Sequence, residues 1–373
     1  MGPGNRLLIV SAPHDDHGPP VAWALRKAGV DPIVWDWSRY PAEQECSTYL
    51  NRTDEKDDWN RIGSVIFSEI DTVWYRRISK VTPHPETHEA DFVFAADQAT
   101  GHMTAMLHAI RTERWVNHPM AARFVESRLP QLQAARRVGL AVPPTLVSNS
   151  PADIADFRQR HSGDVIIKPF RSFQWKTEAG AGFYVETARI EKDCELSDVE
   201  VALCPNIYQH EIKKTYELRL AVFGEHAVAL RIDSQHIGDS VDWRLDQSML
   251  RIPVYAVEPP TALVQKCRAV LADLGLAFGA FDFIVDLNED VYFVEVNQAG
   301  QFLFADDHPS KLPDGAAART LERFCSFLTR DRVPPDAFPS MAEYKKTDEY
   351  AARLAAPPKL DHHPTAQRLQ AVE

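Results

Sequence analysis

The stretch FGAFDFIVDLNEDVYFVEVNQAGQFLF, residues 278–304, constrains the fold more than any other. It predicts two strands, 281–287 and 291–297, joined by a short polar turn around Asn288–Asp290. A two- or four-residue loop puts Leu287 opposite Asp290, and the same register puts Asp282 opposite Glu295 and Ile284 opposite Phe293. Side chains alternate with a period of two, so Asn297 shares a face with Glu295. The reverse face reads Phe281, Phe283, Val285, Tyr292, Val294 and Val296. Both faces are largely apolar, as expected of strands sandwiched between layers.

Two carboxylates directly opposite each other in a hairpin repel unless something positive sits between them. Two carboxylates and an amide oxygen on one spot form the hard-oxygen environment that Mg²⁺ prefers. The spacing therefore offers Asp282, Glu295 and Asn297 as metal ligands. The competing reading leaves one or both acids at a solvated sheet edge, and a three-residue loop would spoil the register.

Asp282, then Glu295-Val296-Asn297 with Gly300-Gln301 close behind, resembles the Mg-binding end of the ATP-grasp ligases. More narrowly it resembles the graspetide (microviridin-type) peptide-modifying ligases, in which an E-V-N is followed by a G-Q and an aromatic. That family usually has Pro-Asn between the Asn and the Gly, where this chain has Gln298-Ala299. The resemblance implies an α/β protein: an N-terminal Rossmann-like pre-ATP-grasp domain (1–116), a small lobe with a phosphate lid (117–205), a large lobe with the Mg site (206–330) and a Pro-rich tail (331–373).

Composition fits that size. A chain of 373 residues that is 45% hydrophobic can bury two or three cores. A net charge of −12 argues against a nucleic-acid partner. Five scattered cysteines, none in a C-x-x-C spacing, suit a reducing cytoplasm and give no disulfide or zinc framework. No apolar run reaches the length of a membrane span, and Leu7–Val10 is too short for a signal-peptide core.

Taken in order, 6–12 predicts a strand, 19–27 a helix ending at Gly29 and 32–37 a second strand, a β-α-β start that implies a parallel sheet. Pro13-His14-Asp15-Asp16-His17 between them superficially resembles the P-H-x-D-D of zinc-dependent deacetylases; the simpler reading makes Asp16 a helix N-cap. Further elements are a strand at 73–76 and a helix at 88–110, apolar at Phe92, Phe94, Ala95, Ala99, Met103, Met106, Leu107 and Ile110. Asn117 caps the next helix, with Pro119 in its first turn. Lys168 ends the apolar strand Val165-Ile166-Ile167; it guards a sheet edge or, by the resemblance, grips the nucleotide phosphates. Residues 171–183, with Gly180 and Gly182, would be the lid.

The same resemblance makes Arg128 a phosphate-binding cation in place of the usual lysine, and makes Gln209, His210, Glu211 and Ile212 the hinge that reads adenine through its backbone. Lys214 and Arg219 lie close by as nucleotide or peptide contacts. In Asp242-Trp243-Arg244, Arg244 would hold the reacting phosphoryl group, with Arg231 as a second choice. The tail opens a charged helix with a capping box at Ser340–Glu343 and reads as an appended surface helix with a frayed terminus; a homodimer or peptide-docking contact there is open.

The resemblance thus implies an ADP-forming ligase using ATP and Mg²⁺ on a precursor peptide, joining Asp/Glu side chains to Thr/Ser or Lys. The rivals are an ATP-grasp ligase with an amino-acid or protein-tail acceptor, a metal-dependent deacetylase using 14–17, and a catalytically inactive nucleotide-binding module.

Overall fold

A computed structural model of the protein describes residues 6–12, 15–52, 58–112, 114–170, 173–176, 182–185, 187–236, 241 and 252–355. It opens with β1 (Arg6–Ser11), α1 (Gly18–Lys27) and β2 (Ile33–Trp35). A small antiparallel sheet follows: β3 (Cys46–Tyr49), β4 (Trp59–Ile62) and β5 (Val65–Ile66). Then β6 (Ile70–Arg77), α2 (Phe92–His108) and β7 (Arg114–Val116) complete a parallel four-stranded sheet in the order β2-β1-β6-β7. β1 is buried on both faces, as a central parallel strand must be: Leu7 and Ile9 enter one core, Leu8 and Val10 another. In α2 the apolar positions from Ala99 onward are buried, whereas Phe92, Val93 and Phe94 stand in solvent, so the helix docks only through its later turns.

After α3 (Pro119–Phe124) and α4 (Arg128–Arg137) comes an α/β lobe. It holds β8 (Thr145–Ser148), α5 (Pro151–Arg160), β9 (Val165–Lys168), the hairpin β10 (Phe173–Lys176) and β11 (Gly182–Val185), β12 (Ala188–Ile190), α6 (Asp198–Leu203) and β13 (Asn206–His210). Its sheet runs β12-β9-β13-β8, all antiparallel, over a small core of Ile154, Val165, Ile190, Val201 and Tyr208. The stretch expected to be a lid loop thus carries a two-stranded hairpin; Gly180 lies outside the described residues.

The second lobe is the antiparallel sheet β16-β15-β14-β17-β18, formed by β14 (Lys214–Phe223), β15 (His226–Ile232), β16 (Val254–Val257), β17 (Phe278–Asp286) and β18 (Val291–Asn297). One face packs on α4 and α7 (Thr261–Asp273) through Leu218, Leu220, Phe281, Phe283, Phe293 and Val296. The other contributes Ala221, Phe223, Leu230, Ile232, Phe278 and Ala280 to a core shared with β1, α1, Trp74 and α8 (Thr320–Leu328). The tail is not merely appended: Phe338, with Met341 and Tyr344 from α9 (Met341–Tyr344), is buried in that core. Among the described tail residues α10 (Asp348–Ala355) fits the expected surface helix, with no buried residue, though its Tyr350 packs against that core.

Candidate functional site

The central hairpin differs from its expected register in an instructive way. The Asp286 N–H bonds to the Asp290 carbonyl at 3.0 Å, so the loop holds three residues, Leu287, Asn288 and Glu289. Asp286 Oδ1 builds that turn by accepting the N–H groups of Asn288 and Asp290, both at 2.8 Å. The last loop residue, Glu289, has φ +66°, the left-handed position that closes three-residue hairpins. Such a loop pairs Ile284 with Tyr292 and Phe283 with Phe293, one residue out of the expected register. A bulge between the Phe283 and Asp282 pairs, with Val294 as the extra residue, then restores the pairing Asp282–Glu295. Phe293 is accordingly buried on the core face, not beside the acids, while Val294 and Glu295 both line the cleft.

A second bulge, at Thr215 in β14, puts Lys214 on the same side as Glu217 although the two are three residues apart. Lys214 Nζ donates to Glu217 Oε1 at 2.5 Å and to the Val241 carbonyl at 2.9 Å. Burial pushes the Glu217 carboxyl up; Lys214 pulls it back down, and the charge of Asp282 adds to the rise. Glu217, which also accepts from Ser234 Oγ at 3.0 Å, is a cleft residue that the sequence patterns above do not pick out. Its signal was two-residue spacing from Arg219 on a strand paired with the one that carries Asp282.

The two facing carboxylates each hold an arginine. Arg219 Nη1 reaches Asp282 Oδ1 at 2.6 Å, and Arg128 Nη2 reaches Glu295 Oε2 at 3.1 Å. Asn297 follows on β18 opposite Ala280, is exposed, and its Oδ1 accepts the Ala299 N–H at 3.0 Å. An amide oxygen keeps a second lone pair beyond that bond. The donor set of two carboxylates and one amide fits a divalent hard cation.

Across the cleft stand the groups of the small lobe. Lys168, at the end of β9 and 7% exposed, donates to Gln209 Oε1 at 2.7 Å, and Gln209 Nε2 donates to Thr145 Oγ1 at 2.9 Å. Glu211 holds Arg189 at 2.7 Å and Lys213 at 3.3 Å. The N–H groups of His210 and Glu211 are bonded to the carbonyls of Pro144 and Asp164, so within the hinge these two amides already serve the lobe's own backbone. His210 stacks on His161 with ring centroids 4.8 Å apart. Arg128, Lys168, Gln209, His210, Glu211, Ile212, Lys214, Glu217, Asp282 and Glu295 all line one cleft between the lobes.

Arg231 is not among them. It sits on β15 opposite Leu218, on the α7 side of the sheet, holding Asp233 at 2.6 Å with its guanidinium over the Tyr216 ring. Alternation along β15 forces this, since Leu230 and Ile232 take the other face. Arg244 and the rest of Asp242-Trp243-Arg244 lie outside the described residues.

Two expectations near the N-terminal sheet also change. Asn117 does not cap α3; His118 Nδ1 does, accepting from Met120 N–H at 3.2 Å. The buried Asn117 amide instead ties down the start of β17, accepting from Ala277 and Phe278 N–H and donating to the Phe278 and Gln298 carbonyls. Asp16 is likewise not the cap of α1, whose N-cap residue is His17. Asp15 Oδ2 receives the His17 and Gly18 amides, while the buried His17 ring faces Phe302. Among the described residues no group of three His, Cys, Asp or Glu is gathered as a zinc site would require.

No family model and no curated protein matches the chain. Solved structures do. A Chryseobacterium gregarium RiPP-associated ATP-grasp ligase, solved with ADP and a leader and core peptide, is 25% identical, with TM-score 0.77 over 88% of this chain and 98% of that one. The Microcystis aeruginosa macrocyclase MdnC, bound with precursor peptide MdnA, is 21% identical, with TM-score 0.71 over 87% and 99%. The ATP-grasp ligase PsnB, complexed with a precursor variant, Mg and ADP, is 21% identical, with TM-score 0.66 over 88% and 98%. The fold expected from the hairpin is therefore the fold found, a mixed α/β chain of the ATP-grasp ligase type.

Proposed function

We propose that this chain, built on the fold of the ATP-grasp ligases that act on ribosomal precursor peptides, is an ADP-forming ligase that cross-links such a peptide. The observation that carries the reading is the bulged hairpin, which opposes Asp282 and Glu295 in a cleft whose far wall holds Lys168. Asp282, Glu295 and Asn297 would hold Mg²⁺, which when bound neutralises charge on the phosphate oxygens. Lys168 and Arg128 bind the phosphates, with Arg244 the proposed cation on the reacting phosphoryl group. The hinge 209–212 reads adenine through groups other than the His210 and Glu211 amides. Lys214 and Arg219 stay in place by their bonds to Glu217 and Asp282 and shape the acceptor side.

The chemistry is a carboxylate ligation. A peptide Asp or Glu oxygen takes the γ-phosphoryl group, giving an acyl phosphate and ADP. A peptide hydroxyl or amine then attacks the acyl carbon and inorganic phosphate leaves, so the peptide loses one water per bond. The N-terminal parallel sheet is the Rossmann-like pre-ATP-grasp unit (1–116), and nucleotide groups come from 117–205 and 206–330. Free cysteines accord with work in a reducing cytoplasm. The membrane has no part in the reading, and among the described residues no helix is long and apolar enough to cross one.

The test is incubation with Mg-ATP and a candidate precursor peptide, sought as a short reading frame near the gene with repeated Thr/Glu or Lys/Asp runs. The expected products are peptides lighter by whole waters, with ADP and phosphate in equal amounts. AMP and pyrophosphate would exclude the acyl-phosphate route, and phosphate release with a free amino acid alone would favour a small-acceptor ligase.

A further inference from the structure

Two side chains of the N-terminal sheet region reach the turn that leaves the metal strand. The Arg76 guanidinium, 1% exposed, donates through Nη1 to the carbonyls of Ala299 and Gly300, the latter at 2.9 Å. Its Nε faces the Asp15 carboxylate at 3.3–3.4 Å, and Asp15 is itself fixed by the first amides of α1. The His17 ring, also buried, accepts the N–H groups of Phe302 and Leu303 on Nε2, at 2.9 and 3.2 Å. From the other side Arg219 donates Nε and Nη2 to the Gln301 carbonyl at 3.1 and 2.9 Å, while its Nη1 holds Asp282. Backbone groups of five consecutive residues, 299–303, are thus held by three side chains. Gly300 fits because a Cβ there would stand 2.6 Å from Ala280 Cβ and 2.9 Å from Arg219 Nη2.

A buried cation is a costly way to join two layers, and the shared apolar core already joins them. What directional bonds add is orientation. The held turn begins two residues after Asn297 and is tied through Arg219 to Asp282, so its placement sets two of the three oxygen donors. Burial and the nearby arginines Arg76, Arg77 and Arg219 keep His17 neutral, which leaves Nε2 able to accept.

We propose that Arg76 and His17 are positioning residues for the Mg²⁺ site: by holding 299–303 they bring Asn297 and the Arg219-bound Asp282 into register with Glu295. The proposal rests on the Mg-nucleotide reading of the cleft. The test uses the full chain with His17→Leu, which removes the acceptor, Arg76→Met, which removes the donors, and His17→Gln, which restores an acceptor. ADP binding is measured by calorimetry in EDTA and across a Mg²⁺ titration, alongside amide exchange of 298–303 without ligand. Expected for the first two variants are metal-free ADP affinity within twofold of wild type, at least a tenfold higher Mg²⁺ requirement, and faster exchange confined to 298–303. The glutamine variant should return to within threefold of wild type.

An unchanged Mg²⁺ requirement in folded variants would overturn the proposal, as would metal-free and metal-dependent binding falling together, or a glutamine variant no better than the leucine one. If the leucine or methionine variant does not fold, Arg76→Lys and His17→Gln are read by the same titration. An intermediate rise of about threefold for Arg76→Lys then supports the proposal, and no rise overturns it. A wild-type chain that binds ADP without any Mg²⁺ effect would sink the metal reading of the cleft and this proposal with it, and one that binds no ADP would sink the nucleotide reading as well.

Discussion

At the scale of single residues, the two facing acids have their own counter-charges. Carboxylates about 5 Å apart repel by about 3 kcal/mol at an effective dielectric near 20. Arg128 and Arg219 offset that repulsion before any metal arrives. Arg128 and Glu295 are 29% and 19% exposed, so their pair is screened and contributes roughly 1 kcal/mol or less. Glu295→Gln loses this small term and relieves the repulsion, so without metal it should melt within a few degrees of wild type. It should lose most of the Mg-ATP stabilisation and nearly all turnover. Arg128→Met, which leaves the acids facing each other with less compensation, should melt lower than Glu295→Gln in EDTA and regain the difference in Mg²⁺. Comparable melting of the two variants in EDTA would show that the acids do not interact. Asp282, Glu295 and Lys168 were legible from the sequence because alternation and an apolar run place them locally. Arg76 and His17 were not, since their partners lie 223–224 and 285–286 residues away.

At the scale of elements, the hairpin reached its expected acid pairing by a route that strand periodicity does not encode. Alternation alone assumes a two- or four-residue loop; Asp286 instead closes a three-residue loop, and the Val294 bulge compensates. Bulges leave no periodic trace, because one extra residue merely reverses the alternation beyond it. That is why alternation puts Phe293 on the wrong face yet pairs Asp282 with Glu295. The loop also stores a testable cost. Glu289 holds φ +66° without being glycine, a conformation costing roughly 1–2 kcal/mol for a residue with a Cβ. Its side chain gains only a 3.4 Å contact from the Tyr216 hydroxyl. Glu289→Gly, which also loosens the unfolded chain, should therefore stabilise the protein by about 0.5 kcal/mol. Chemical denaturation would detect it as a higher midpoint at unchanged slope. A clear fall in midpoint would mean that the Tyr216 contact outweighs the backbone strain.

At the scale of the molecule, the N-terminal sheet and the lobe of the proposed metal site share one core. β-α-β patterning revealed the sheet, yet nothing local in the sequence says which apolar faces share a core. In the structure Leu7, Ile9, Val21, Trp23, Leu25 and Trp74 pack in one cluster with Phe223, Phe278, Phe302, Phe324, Met341 and Tyr344. Trp74 meets the Phe324 ring edge-on at 4.9 Å between centroids, and Phe324 lies 4.7 Å from Phe302, whose N–H His17 holds. The proposed nucleotide groups lie on later residues, but their scaffold shares its core with the N-terminal sheet. Removing residues 1–112 would also strip β7 of β6, its partner in the sheet. Uncovering large apolar side chains costs about 1.5–3 kcal/mol each, so four of them match the 5–15 kcal/mol that holds a typical domain together. A chain lacking 1–112 is therefore expected to aggregate or to melt without a cooperative transition, and to lose ATP affinity through unfolding. The small lobe, whose core of Ile154, Val165, Ile190, Val201 and Tyr208 is its own, should keep its amide protection best in that chain. A soluble truncated protein with a sharp melt and measurable Mg-ATP binding would show that the shared cluster is an interface between two independent domains rather than one core.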